Sequence, residues 1–261
     1  MAPSYSLSLL IVVIVVIVIV IIGVATPAST QSTAGFLSID IGSGETTNYT
    51  ETTTGMIWTP DLNLWPDIGD WSTTYTSLAP PPSAASSDHS RAEHYQSFRY
   101  FKPSSSESQS RAPRPAKFCY SLPAQPGKHY LVRATFWSGA SLASASTRVS
   151  GLLGFYVMID TYVAPRINIS LPQTSEYVEE YFVKALDGAS SSSVKVCLSA
   201  ESDVSDAPFI NALELRPLAD TPKSVLVLDA SNSALRTMAR YDFGASVGSA
   251  PIIRCKNKIN K

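Results

Sequence analysis

The stretch 207–218, APFINALELRPL, leaves less room for choice than any other part of this 261-residue chain. Phe209, Asn211, Leu213 and Leu215 fall on one side of a period-2 alternation, and Ile210, Ala212, Glu214 and Arg216 on the other, between Pro208 and Pro217. Alternation with a charged outer face predicts a half-buried antiparallel strand, and prolines, which lack the ladder N–H, predict where it stops. Asn211 sits on the apolar side. An unpaired amide there costs roughly 1–3 kcal/mol, so Asn211 is expected to bond a neighbouring strand or loop, with ligand contact as the second reading.

The same periodicity recurs upstream. GFLSIDIG at 35–42 alternates Phe36, Ser38 and Asp40 against Leu37, Ile39 and Ile41, then turns at Gly42 to Gly44. From Lys117 the pattern is strongly β: KFCYSL, a turn at Gln125-Pro126-Gly127, and KHYLVRATFW with Tyr130, Val132, Ala134 and Phe136 on one face, which reads as a hairpin-like pair. GFYVMID (154–160), RINISL (166–171), YVEEYFVKAL (177–186) and SVKVCLSA (193–200) follow, separated by Pro, Gly or Ser clusters. About eight to ten short strands without a convincing amphipathic helix predict an all-β chain, a sandwich or jelly roll. LAPPPSAASS at 78–87 and the Ser- and Arg-containing segment 103–115 read as loops around an island, Arg91 to Phe101.

Lys+Arg 20 against Asp+Glu 21 gives a net charge of -1 with no basic block, so a nucleic-acid partner lacks its electrostatic basis. Leu9 to Ile22 is an unbroken Leu/Ile/Val run followed by Gly23-Val24-Ala25, which predicts a signal peptide over residues 1–25 or, uncleaved, a signal anchor. Either takes the chain into the secretory pathway, to be secreted or displayed on the extracellular face of the plasma membrane. There Asn48-Tyr49-Thr50 and Asn168-Ile169-Ser170 become glycosylation acceptors at Asn48 and Asn168. Residues 26–34 form a Ser/Thr-rich tether.

No motif commits the chain to catalysis or to a cofactor. The Gly42-Ser43-Gly44 turn lacks the helix and Lys of a phosphate loop, and Cys-x-x-Cys, His-Glu-x-x-His and Gly-x-Ser-x-Gly are absent. Asp40, Asp61, Asp67, Asp70 and Asp160 could meet in space, but nothing in the sequence selects a glycosidase pair. His89 and His94 with Asp88 and Glu93 reach the ligand count for a weak metal site, although loop composition explains them better, and His129 reads as a strand-edge residue. Sugar binding needs aromatic faces beside carboxylates or amides. Trp58, Trp65, Trp71 and Tyr75, interleaved with Asp61, Asp67 and Asp70, supply the best candidate surface. The structural alternative is that Trp58 and Trp65 plug the ends of a sandwich under long loops.

Several stretches together resemble the malectin-like domain of plant receptor-like kinases of the leucine-rich-repeat type. They are, in order, GFLSIDIG, TTTGMIWTPD (52–61), FRYF (98–101) leading into KFCYSLP, GKHYLVRATFWSG (127–139), GFYVMIDTYV (154–163), VCL (196–198) and PFINALELRPL. The resemblance implies a jelly-roll-like β sandwich over 35–220, without enzymatic activity or cofactor. It also implies a cell-wall glycan, a secreted peptide or another receptor ectodomain as partner. Plant members generally lack the aromatic loop set that grips sugar in animal malectin, and none is evident here. Ile41 stands where many members carry Cys, and within the resemblance Cys119 and Cys197, each on the more polar side of its strand, are expected to pair. Closing that loop restricts the unfolded chain by about 4 kcal/mol in the entropy model. The alternative is two separately buried thiols. Residues 221–261 resemble a linker and the opening of a second similar domain that is not completed, with Cys255 left unpaired or intermolecular.

Overall fold

The computed structural model describes residues 35–51, 55–66, 72–76, 78–79, 81, 93–101, 117–142, 151–186, 192–200, 208–218 and 234–238. The N-terminal apolar run, the tether, Asp67, Asp70, Trp71, Asp88, His89 and Cys255 lie outside them. Among the described residues no helix is long and apolar enough to cross a membrane.

In chain order the elements are β1 (Leu37–Asp40), β2 (Tyr49–Thr50), β3 (Ile57–Pro60), α1 (Asp61–Leu64), β4 (Ser72–Tyr75), β5 (Phe98–Phe101), β6 (Lys117–Ala124) and β7 (His129–Phe136). They continue with β8 (Leu152–Ile159), β9 (Tyr162–Val163), β10 (Ile167–Ser170), β11 (Tyr177–Lys184), β12 (Ser192–Ala200), β13 (Phe209–Ile210), β14 (Ala212–Pro217) and β15 (Ala234–Arg236). A seven-stranded sheet runs β15-β11-β7-β14-β1-β3-β2, a five-stranded sheet runs β10-β8-β12-β6 with β9 on β8, and a three-stranded sheet runs β13-β5-β4. Among the described residues every pairing is antiparallel except β1 with β3.

The inner faces of the two large sheets make one core. Tyr130, Val132, Ala134 and Phe136 of β7 and Leu213 and Leu215 of β14 are buried with Phe155, Val157 and Ile159 of β8 and Val194, Val196 and Leu198 of β12. Phe136 and Phe155 meet across the gap with ring centroids 5.4 Å apart, and Phe209 closes on both at 6.1 and 6.0 Å. Each such ring contributes about 1.5–3 kcal/mol by leaving water, so the aromatic layer holds the all-β sandwich closed.

Three expectations change. Gln125-Pro126-Gly127 does not close a hairpin: β6 pairs with β12 in one sheet, while β7 pairs with β11 and β14 in the other. The turn crosses between layers, braced by Gln125 N–H donating to Tyr130 Oη at 2.8 Å. Alternation is satisfied equally by two apolar faces side by side or face to face, so it does not separate a hairpin from an arch. The strand of 207–218 breaks at Asn211 into β13 and β14, which serve different sheets. And β15 pairs with β11 through Tyr181–Arg236, Phe182–Leu235 and Val183–Ala234, so the sandwich takes an edge strand from beyond residue 220.

Asn211 is the hinge of that break and is fully buried. Its Oδ1 accepts from Trp137 N–H, its Nδ2 donates to Ser97 O at 2.6 Å, its backbone N–H donates to Thr135 O at 3.0 Å, and its own carbonyl accepts from Ile41 N–H at 2.7 Å. The expected bonding of the amide to neighbouring segments is observed. These bonds join the end of β7, the entry to β5 and the exit of β1. Gly42, next in line, has φ +83, and a Cβ there would lie 2.8 Å from the Phe98 carbonyl carbon. Only glycine lets β1 approach β5 so closely.

Candidate ligand-binding end

Where β1, β3 and α1 meet β4 and β5, the chain gathers a polar cluster. Asp61 opens α1 directly after Pro60, and Arg99 stands in β5. Arg99 Nε donates to Asp61 Oδ2 at 2.7 Å and Nη2 to Oδ1 at 2.8 Å, a two-pronged buried pair, while Nη1 donates to Ser72 Oγ at 3.1 Å and Thr74 Oγ1 at 3.2 Å. Gly42 N–H adds a donor to Asp61 Oδ1 at 3.3 Å. The planar guanidinium fits this fork as no ammonium could. Asp61, expected to contact a ligand, is therefore taken up internally. A signal for it existed: Arg99 interrupts the aromatic run FRYF, and a charge inside a buried strand needs a partner.

Asp40 lies beside this pair on the outer side of β1 and is buried, accepting from Tyr49 Oη at 3.1 Å and from Ser97 Oγ at 3.4 Å. Burial raises its carboxyl to about 7 against the pull of the two hydroxyls, with the Asp61 charge adding to the rise. Around neutrality it can hold or release a proton.

Across the outer face of the seven-stranded sheet a row stands in register: Glu180, Arg133, Glu214, Ser38, Trp58 and Tyr49. Arg133 Nε lies 3.9 Å from Glu180 Oε1 and 3.9 Å from Glu214 Oε1, and is shared between the two carboxylates. Arg216 pairs with Glu214, donates to Ser38 Oγ at 2.9 Å and sits 4.7 Å over the Phe36 ring. Burial pushes Glu214 up, but Arg216 and Arg133 outweigh it and hold the carboxyl low. Alternation predicted Glu214 and Arg216 on a solvated face; the structure buries both.

Trp58 is part of what covers them. With Met56 and Ala212 it forms a second small core on the outside of the sheet, flanked by Phe36 and Tyr49. It is 1% exposed, lies parallel to His94 at 4.4 Å and stacks on Tyr49 at 6.5 Å. Trp58 thus neither presents a face to a sugar nor plugs a sandwich end. His94, expected in a loop, belongs to a short 3₁₀ turn, and burial lowers its imidazole to about 4. Trp65 is half-buried and packs edge-on against Tyr120 at 5.0 Å, in the plugging role. Tyr75 ends β4 in register with Phe98. Among the described residues no group of three or more His, Cys, Asp or Glu is placed to hold a metal.

On the other large sheet Cys119 and Cys197 are directly opposed across β6 and β12, with Cα atoms 4.0 Å apart, and their sulfurs are bonded. Both share the outward side with Lys117, Ser121, Ser193 and Lys195.

A family profile described as the malectin-like domain matches residues 39–258. The chain belongs to the malectin-like family. A probable LRR receptor-like serine/threonine-protein kinase of Arabidopsis thaliana is 29% identical over 212 residues, covering 80% of this chain and 18% of that protein. The LRR receptor-like serine/threonine-protein kinase IOS1 of the same plant is 24% identical, covering 83% and 20%. Among solved structures, the plant receptor-like kinase FER superposes with a TM-score of 0.51 at 21% identity, covering 78% of this chain and 47% of that one. The ANX1 ectodomain of Arabidopsis thaliana gives 0.50 at 17%, covering 78% and 48%. The chain therefore spans about a fifth of these curated relatives and about half of these two solved chains. Ile41 is a fully buried core residue.

Proposed function

We propose that this malectin-like chain is a non-catalytic extracellular recognition module of the receptor-like-kinase type, and that its partner is a polypeptide: a secreted peptide or another receptor ectodomain. The observation that carries this reading is the internal use of the sugar-binding chemistry. Trp58 is stacked under His94 and Asp61 is held by Arg99, so the aromatic and carboxylate pair that would grip a pyranose is occupied. Entry to the secretory pathway through the apolar run at 9–22 agrees with the Cys119–Cys197 disulfide, which persists in oxidising compartments.

The full-length secreted protein, immobilised and challenged with secreted peptides and receptor ectodomains, should retain a polypeptide saturably and give no saturable signal on a glycan array. Saturable oligosaccharide binding that is lost in Trp71→Ala, with an unchanged fold by circular dichroism, would overturn the polypeptide reading in favour of a cell-wall glycan.

A further inference from the structure

Among the described residues the five-stranded sheet has β6 at one edge and β10, with the two-residue β9, at the other, and β6 and β10 are defended differently. An unpaired edge offers its N–H and C=O groups to any other strand, so proteins blunt edges with Lys, Pro, or a covering group. β6 opens with Lys117, carries Pro123 without an N–H, and is bonded to β12 through Cys119–Cys197. β10 reads INIS and contains neither a charge nor a proline.

What β10 carries instead is Asn168. Ile167 and Ile169 turn into the core, while Asn168 and Ser170 are exposed on the outer side, so the acceptor triplet Asn168-Ile169-Ser170 presents both of its polar members to solvent. Asn168 Oδ1 accepts from Arg166 Nη1 at 2.9 Å. Directly opposite in register is Gly154, where a Cβ would come within 2.2 Å of Arg166 Nη2, so the guanidinium lies in the space that a side chain would take. The amide oxygen is engaged, and the nitrogen has no hydrogen-bond partner among the described residues. A substituent on Nδ2 displaces no hydrogen bond among the described residues.

We propose that Asn168 carries an N-linked glycan that guards the β10 edge of the five-stranded sheet. The inference rests on the extracellular reading above. In the step itself, the Asn168 Nδ2–C1 bond forms and Nδ2 loses a proton. The C1–O bond to the diphosphate of a lipid-linked oligosaccharyl donor breaks, and the lipid diphosphate leaves.

The full-length chain is expressed through a plant secretory host and the peptide beginning at Ile167 is analysed after peptide N-glycosidase treatment in heavy-oxygen water. Conversion of Asn168 to Asp with one heavy oxygen is the expected result, and Asn168→Gln should run one glycan step smaller on a gel. An unmodified Asn168 overturns the proposal. An intact Cys119–Cys197 bond in that same protein leaves the extracellular reading standing, whereas free thiols with both Asn48 and Asn168 bare remove the two together. For the guarding role, folded wild-type protein is deglycosylated and its self-association compared with Asn48→Gln left glycosylated at Asn168. Self-association should rise several-fold only when the Asn168 glycan is gone, and equal behaviour would remove the role.

Discussion

On β12 the outward-facing Ser193 and Lys195 are exposed, whereas on β14 the outward-facing Glu214 and Arg216 are 8% and 6% exposed. Both strands alternate and both carry charge on the side away from the sandwich core. The five-stranded sheet leaves that side open. The seven-stranded sheet has it covered by Met56, Trp58, Phe36 and the turn bearing His94 and Tyr95, so its charges must find each other: Arg133 with Glu180 and Glu214, and Arg216 with Glu214 and Ser38. Alternation tells which residues share a face. It does not tell what lies on that face, because the cover comes from Phe36 and segments 55–58 and 93–95, all remote in sequence from β14.

The largest expected effect is on a charge deleted from a buried pair, here the one that joins β5 to α1. Arg99→Ala leaves Asp61 buried with, among the described residues, only Gly42 N–H as a donor to its side chain, and breaking one partner of a buried pair costs about 3–5 kcal/mol. Lys195→Ala on the open face removes the same formal charge at a cost within about 0.5 kcal/mol. Denaturant melts of the two variants test the contrast, and equal midpoints would break it.

The open face has one strong element, the disulfide. Replacing Cys119 and Cys197 with Ser is expected to cost about 2–4 kcal/mol, somewhat under the entropy model because strand pairing partly restrains the reduced chain. Reduction of the wild type should reproduce the shift, and no shift on reduction would mean that the ladder alone holds β6 in place.

That contrast also marks what was legible. The alternating cores of β7, β8, β11 and β12 were readable because period 2 is a local property, and Asn211 was readable because an amide among apolar neighbours has to be bonded. The crossing at Pro126, the split at Asn211 and the edge strand β15 were not, since each depends on which layer a strand joins. At the candidate site, Trp58 and Asp61 have the right residue types for a sugar, but type does not reveal that His94 and Arg99 reach them from 36 and 38 residues away.

The pH response should separate two groups, Asp40 and His94, for which burial outweighs every other influence. Asp40 is raised from 3.8 to about 7, so the native state prefers it protonated; its contribution is full below about 3.8 and is lost as pH rises through 7. His94 is lowered from 6.5 to about 4, so the native state prefers it neutral; its contribution is full above 6.5 and is lost as pH falls through 4. Between pH 4 and 6.5 the slopes oppose each other, each of the order of 1 kcal/mol per pH unit. Relative to wild type, Asp40→Asn should gain stability steadily from pH 4 to 7. A wild-type-minus-variant difference that is flat over that range would mean that water reaches Asp40.

The smallest effect gives the sharpest comparison, because the same substitution can be made on both outer faces. Ser121 on β6 is exposed, and Ser121→Ala should stay within about 0.5 kcal/mol. Ser38 on β1 is 2% exposed and its Oγ accepts from Arg216 Nη2 at 2.9 Å, so Ser38→Ala removes a hydrogen bond to a buried charge and should cost about 1.5–3 kcal/mol. Neither change alters net charge or leaves a large cavity, which isolates solvent access as the variable. If Ser38→Ala is as mild as Ser121→Ala, the guanidinium of Arg216 has water to replace the lost acceptor, and Phe36 and Trp58 do not seal that end of the seven-stranded sheet.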